Sequence, residues 1–109
     1  MSVTITDPLD NDEFPDPNAY NWTVTATIDS ADSLDGLLYD YTTGELYMCD
    51  DPTCINGPDE NGLYTWELSF SDTTGIREGD ALFIYVYDEA TGDGASVAVT
   101  ASMDGGLNG

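Results

Sequence analysis

The stretch Asp80-Ala81-Leu82-Phe83-Ile84-Tyr85-Val86-Tyr87-Asp88 decides the fold. Side chains of an extended chain point alternately to opposite faces. Leu82, Ile84 and Val86 therefore share one side, and Phe83, Tyr85 and Tyr87 the other. Thr91-Gly92-Asp93-Gly94 follows, with the glycines and short polar residues that a chain reversal needs. The run 95–102 then repeats the rhythm, Val97 and Val99 alternating with Ser96, Ala98 and Thr100. Together they predict a hairpin, apolar on one side, which needs a second sheet to cover it.

Working outward, the rest of the chain supplies that sheet. Tyr64, Trp66, Leu68 and Phe70 alternate with Thr65, Glu67 and Ser69, and Ile76 is the apolar plug of the crossover 71–79. Trp22, Val24, Ala26 and Ile28 alternate with Asn21, Thr23, Thr25 and Thr27, and Val3 and Ile5 with Thr4 and Thr6. Two further runs are 37–41 and 45–49. In the first, Leu37, Tyr39 and Tyr41 are expected inward and Leu38 and Asp40 outward. Residues 9–19, 30–36 and 50–62 are rich in Pro, Gly, Asp and Ser and read as loops. No segment carries apolar residues at helical spacing. About seven antiparallel strands separated by turn signals predict an all-β sandwich of two sheets over residues 1–102, with a Gly-rich tail at 103–109.

At 109 residues the chain is one domain, too small for a deep catalytic pocket plus its scaffold. Asp and Glu number 22 against a single basic residue, Arg77, and there is no His, giving a net charge of -21. With 40% hydrophobic and 11% aromatic residues, this is a folded domain with an acidic surface rather than a disordered acidic tail. Nucleic acid is excluded as a direct partner, because displacing phosphate counterions takes Lys and Arg. Anionic membrane surfaces are excluded for the same reason. Self-repulsion at this charge is relieved by salt or by bound cations, so a high-salt setting or a neutralising partner fits. No apolar run is long enough to span a bilayer as a helix. Met1 leads directly into the first strand; the expectation is a component exported without a signal, such as part of a virion, or a piece of a secreted protein.

Val3-Thr4-Ile5-Thr6-Asp7-Pro8, the Trp22 to Ile28 alternation, Tyr64-Thr65-Trp66-Glu67-Leu68 and the Gly79-Asp80 step into the strand ending at Asp88 resemble the bacterial and phage immunoglobulin-like domains. The resemblance covers residues 3 to about 102. It implies an immunoglobulin-like sandwich and no particular task, since such domains occur in surface adhesins, as spacers in secreted enzymes and as decoration on phage capsids and tails. The inter-sheet disulfide and packed Trp of antibody domains are missing, which leaves Trp22 and Trp66 as core bulk.

Cys49 and Cys54 flank Asp50-Asp51-Pro52-Thr53, a spacing that closes a small disulfide loop and implies an oxidising exterior. Two cysteines without His make no structural zinc site. Calcium wants six to eight oxygens; the weak candidates are Asp7, Asp10, Asp12, Asp88 and Asp93, and no other cofactor is expected. Without His or Lys, no base activates a Ser, Thr or Cys nucleophile. A glycosidase pair needs a raised-pKa acid beside a second carboxylate in a cleft, and among 22 acids some pair always meets the distance. No enzyme is expected. Phe83, Tyr85 and Tyr87 form an outward aromatic row where other strands carry Thr, Ser, Asp and Glu, the mark of an interaction surface. The tail, through Leu107, is a second candidate contact, and Asn21-Trp22-Thr23 is a weak glycosylation sequon. The expected role is a non-enzymatic virion decoration or fibre protein docked on a capsid or tail. The alternatives are a module of a cell-surface adhesin, pilus or S-layer, and a carbohydrate-binding module. All place it outside the cell or on a virion, in an assembly with protein subunits.

Overall fold

The computed structural model describes residues 3–11, 13–15, 22–50, 52–70 and 75–102, with the side chains of 13–15, 22 and 102 excepted. Among these residues every regular element is a strand: β1 (Val3–Asp7), β2 (Glu13–Pro15), β3 (Trp22–Ile28), β4 (Leu34–Asp40), β5 (Glu45–Met48), β6 (Thr53–Asn56), β7 (Tyr64–Phe70), β8 (Ala81–Asp88) and β9 (Gly94–Ser102). They form two sheets, β1-β3-β7-β6 and β2-β9-β8-β4-β5. Neighbours pair antiparallel except β2, which runs parallel to β9. This is an all-β sandwich, and its strand order is that of the immunoglobulin fold, A-B-E-D facing A′-G-F-C-C′.

The alternation read from sequence places the core. Val24, Ala26, Ile28, Leu68 and Phe70 of one sheet and Leu38, Leu82, Ile84, Val86, Val97 and Val99 of the other are buried, and Ile76 plugs the end beneath the crossover. Trp66 is half-buried and packs against this cluster, while the side chain of Trp22 lies outside the described residues.

Three expectations are corrected. First, β4 faces the other way: Leu34, Gly36, Leu38 and Asp40 are inward, and Asp35, Leu37 and Tyr39 outward. The inward row contains a glycine and an acid, so counting apolar residues favours the wrong face. Gly36 sits in close quarters: a Cβ there would lie 3.0 Å from Leu68 Cδ2 and 3.1 Å from the Tyr85 carbonyl oxygen, so a larger residue has to push its neighbours aside. Second, the seven expected strands are all present, and two short ones join them. β2 and β6 fall in expected loops, and β4 starts at Leu34, inside the expected connection 30–36. β2 and β6 are short edge strands, and β6 is exposed at every position; neither has an alternation to read. Third, Cys49 and Cys54 form no disulfide. Cys49 leaves β5 in one sheet, donating its N–H to Gly36. Cys54 lies in β6 of the other sheet, opposite Trp66, and its Sγ donates to the Asn56 carbonyl at 3.3 Å.

Candidate functional site

The antiparallel pair β4–β8 positions both candidate features of the molecule, one on its outer face and one at its ends. On the outer face, strand register lines up three rows of side chains. Leu46, Tyr39, Phe83 and Ala98 form the first; Met48, Leu37, Tyr85 and Ser96 the second; Asp35, Tyr87 and Gly94 the third. The aromatic row expected on β8 is there, half-buried, and the reversed frame of β4 doubles it.

The row divides by what holds it. Tyr85 and Tyr87 stack at 5.6 Å with rings 21° apart. The Tyr85 ring lies across Gly94, where a Cβ would come within 2.8 Å of its hydroxyl. The Tyr85 hydroxyl donates to the Gly92 carbonyl and that of Tyr87 to Asp35 Oδ2, both long at 3.4 and 3.5 Å. Burial, with the charges of Asp35 and Glu89, pushes the Tyr87 phenol up. This half is fastened to its own turn.

The other half is open. Tyr41 meets Tyr39 edge-on at 4.9 Å and Phe83 at 6.1 Å, and Tyr41, Leu46 and Met48 are 60%, 54% and 51% exposed. Beside Tyr41 lies an open groove of about 240 Å³, lined by Asn11, Ala81, Leu82, Ala98, Val99 and Thr100. Asp10 stands at its edge, accepting the Ala98 N–H at 2.8 Å.

At the two ends of β4–β8 sit acids whose burial no sequence pattern announces. Asp40, Asp80 and Asp88 are all buried. Each caps a turn: Asp40 Oδ1 accepts the Thr42 and Thr43 N–H groups, Asp80 Oδ2 that of Arg77, and Asp88 Oδ1 that of Ala90. Each end also brings two carboxyls together, Asp40 with Asp80 and Asp32 with Asp88. Asp40 Oδ2 and Asp88 Oδ2 are buried without a hydrogen-bond partner among the described residues. The hydrogen bond with Asp88 holds the Asp32 carboxyl above its ordinary range, helped by desolvation. Burial, then Asp80, does the same to Asp40. Burial also pushes Asp88 upward, but the Ala90 N–H, Asp32 and Thr91 outweigh it and leave it low. The detectable signal was positional: Asp80 precedes β8, while Asp40 and Asp88 end their strands.

Retaining glycosidases hold two carboxyls about 5 Å apart across a substrate; Asp40, Asp80 and Asp88 are instead buried and cap turns at strand ends. The calcium candidates are dispersed. Asp7 stands opposite Thr25, Asp10 bonds to the middle of β9, and Asp88 and Asp93 close the β8–β9 turn through Asp88 N–H to the Asp93 carbonyl. No cluster of three or more acids or cysteines suited to a metal occurs among the described residues. Asp12, Asn21 and Leu107 lie outside those residues.

No family model matches the chain, and no curated protein does. Among solved structures, amylomaltase from Corynebacterium glutamicum is similar over 88% of this chain at 14% identity, with a TM-score of 0.52. A family 123 glycoside hydrolase from Clostridium perfringens matches over 84% of this chain at 8% identity, with a TM-score of 0.38. The chain spans 13% of the first and 22% of the second. The amylomaltase likeness is one of fold alone.

Proposed function

We propose that this chain is a non-catalytic, immunoglobulin-like binding module that docks on a larger protein assembly through the outer face of β4, β5 and β8. The observation that carries the reading is the composition of that face. It is aromatic and aliphatic across three strands, on a molecule whose other outward positions are mostly Thr, Ser and acid. Contiguous exposed apolar surface on a soluble domain marks a contact site, and Tyr offers large area at small entropy cost. The proposed setting is a virion surface, with a cell-surface layer or adhesin as the alternative.

A sugar platform fits the same row less well. Sugar rings lie flat on exposed aromatic faces, whereas Tyr85 and Tyr87 turn their faces to each other and fix their hydroxyls to the protein. The test is isolation of the native protein with its associated material. Stoichiometric recovery with capsid, tail or surface-layer subunits supports the reading; recovery only on polysaccharide, or turnover of a glycan, overturns it.

A further inference from the structure

We infer that the open half of this face, together with the groove beside Tyr41, receives a protein surface presenting arginine or lysine among apolar residues. The inference rests on the protein-binding reading above and names the partner's chemistry.

Size and charge select the occupant. Four strands about 4.8 Å apart, with alternate residues about 6.8 Å apart along each, give a footprint of roughly 14 by 14 Å. Joining two such patches would bury far less than the roughly 1,200 Å² at which stable interfaces begin. A second copy would also bring a net charge of -21 against another of -21. The patch is therefore the apolar centre of a larger contact, whose polar rim completes it.

That rim is acidic. Asp10 stands beside the groove, its Oδ1 on the Ala98 N–H, and the chain as a whole carries a net charge of -21. The complementary surface is positive. Tyr39, Tyr41 and Phe83 meet edge to face, an arrangement in which ring faces remain available to a guanidinium or ammonium group. The groove of about 240 Å³ between Tyr41 and Ala98 has room for a long basic side chain, its stem against Tyr41 and Ala98 and its charge towards Asp10.

The probe is a ten-residue peptide alternating arginine with leucine, with a glutamate–leucine counterpart as control. Amide shifts of the isotopically labelled chain are followed at 0.15 M salt. The expected result is saturable shifts centred on Tyr39, Tyr41, Phe83 and Ala98 with the arginine peptide alone. Tyr41→Ser with Phe83→Ser weakens binding tenfold or more, and Thr25→Ala on the opposite sheet leaves it unchanged. Both variants alter outward positions, and their amide spectra establish that they fold. Shifts spread evenly over the acidic loops and untouched by the double variant reduce the effect to general charge attraction and overturn the inference. So does the absence of shifts, displacement of the same signals by maltoheptaose, or salt-induced dimerisation abolished by the double variant. Native protein carrying the double substitution separates the two levels. If it still recovers its subunits, this face is wrong while protein binding stands; if the unaltered protein recovers none, the binding reading itself fails.

Discussion

The two sheets turn opposite kinds of surface outward. On the β1-β3-β7 side, Thr4 faces Thr27, Thr27 faces Thr65, Thr25 faces Glu67 and Thr23 faces Ser69. On the β5-β4-β8 side the same positions hold Leu46, Tyr39 and Phe83, then Met48, Leu37 and Tyr85. Both faces are extended, both suit β-branched or aromatic residues, and both cover the same core. The difference does not come from the demands of folding, because threonine, serine and glutamate satisfy them on one side. On the reading proposed above, it marks where another molecule is met.

The largest effect expected separates inside from outside on one strand. Ile84→Ala empties a fully buried position and costs about 2–5 kcal/mol, whereas Phe83→Ala removes the cross-strand contacts with Tyr39 and Ala98 and costs about 1–2 kcal/mol. Urea unfolding at fixed salt measures both. Equal losses would mean that the aromatic face is core, and the comparison would collapse.

Next come the strand ends. Asp40→Ala removes the acceptor of two backbone N–H groups and costs about 1–2 kcal/mol. Asp40→Asn keeps an acceptor and removes one charge of the pair, so at neutral pH it is expected to be neutral or stabilising. A loss as large as that of the alanine variant would show that the ionised pair itself holds the turn.

Acidity tests the same pairs together. Asp32 and Asp40 are held above the ordinary carboxylate value and bind protons more readily folded than unfolded. Their contribution is fully present below that ordinary value and is lost as pH rises through the folded one. Asp88, held low, contributes above the ordinary value and loses its share as pH falls through its own. The melting temperature should therefore rise on mild acidification from neutrality, pass a maximum near the ordinary carboxylate range, and fall below it. Thermal scans at constant salt read this, and Asp32→Asn with Asp40→Asn should flatten the rise towards the unspecific part due to net charge. At the alkaline end, desolvation and Glu45 push Tyr47 up to about 12. Stability should fall as pH rises from the ordinary phenol value towards that figure, and absorbance titration of Tyr47→Phe identifies the group.

The smallest effect belongs to the threonine side. Thr25→Ala should stay within about 0.5 kcal/mol and leave partner recovery unchanged; a larger loss of binding would move the contact to the other sheet.

Where burial enforces period-2 alternation with uninterrupted apolar residues, the sequence was legible. The inward sets of β3, β8 and β9 follow directly from it. β4 was misread because Gly36 and Asp40 occupy inward positions for reasons of space and turn capping, neither of which a hydrophobic count registers. The apolar pattern of β4 sends Leu37 and Tyr39 to the core and so shows only half of the candidate face. The carboxyl pairs were invisible for a different reason: they arise only when β4 and β8 align Leu34 with Asp88 and Asp40 with Leu82. Edge strands such as β6 owe their existence to a neighbour, Trp66 and Glu67 of β7 supplying the ladder.

The parallel seam of β2 and β9 has a mechanical consequence. Glu13, Phe14 and Pro15 register with Thr100, Ala101 and Ser102, and the seam is prolonged by Asn11 N–H to the Ala98 carbonyl. Tension entering through the start of β2 and leaving through the end of β9 slides the two strands along each other. Every bond in the seam is then strained at once instead of parting in turn, so the domain should bear load as a clamp and yield in one sharp step.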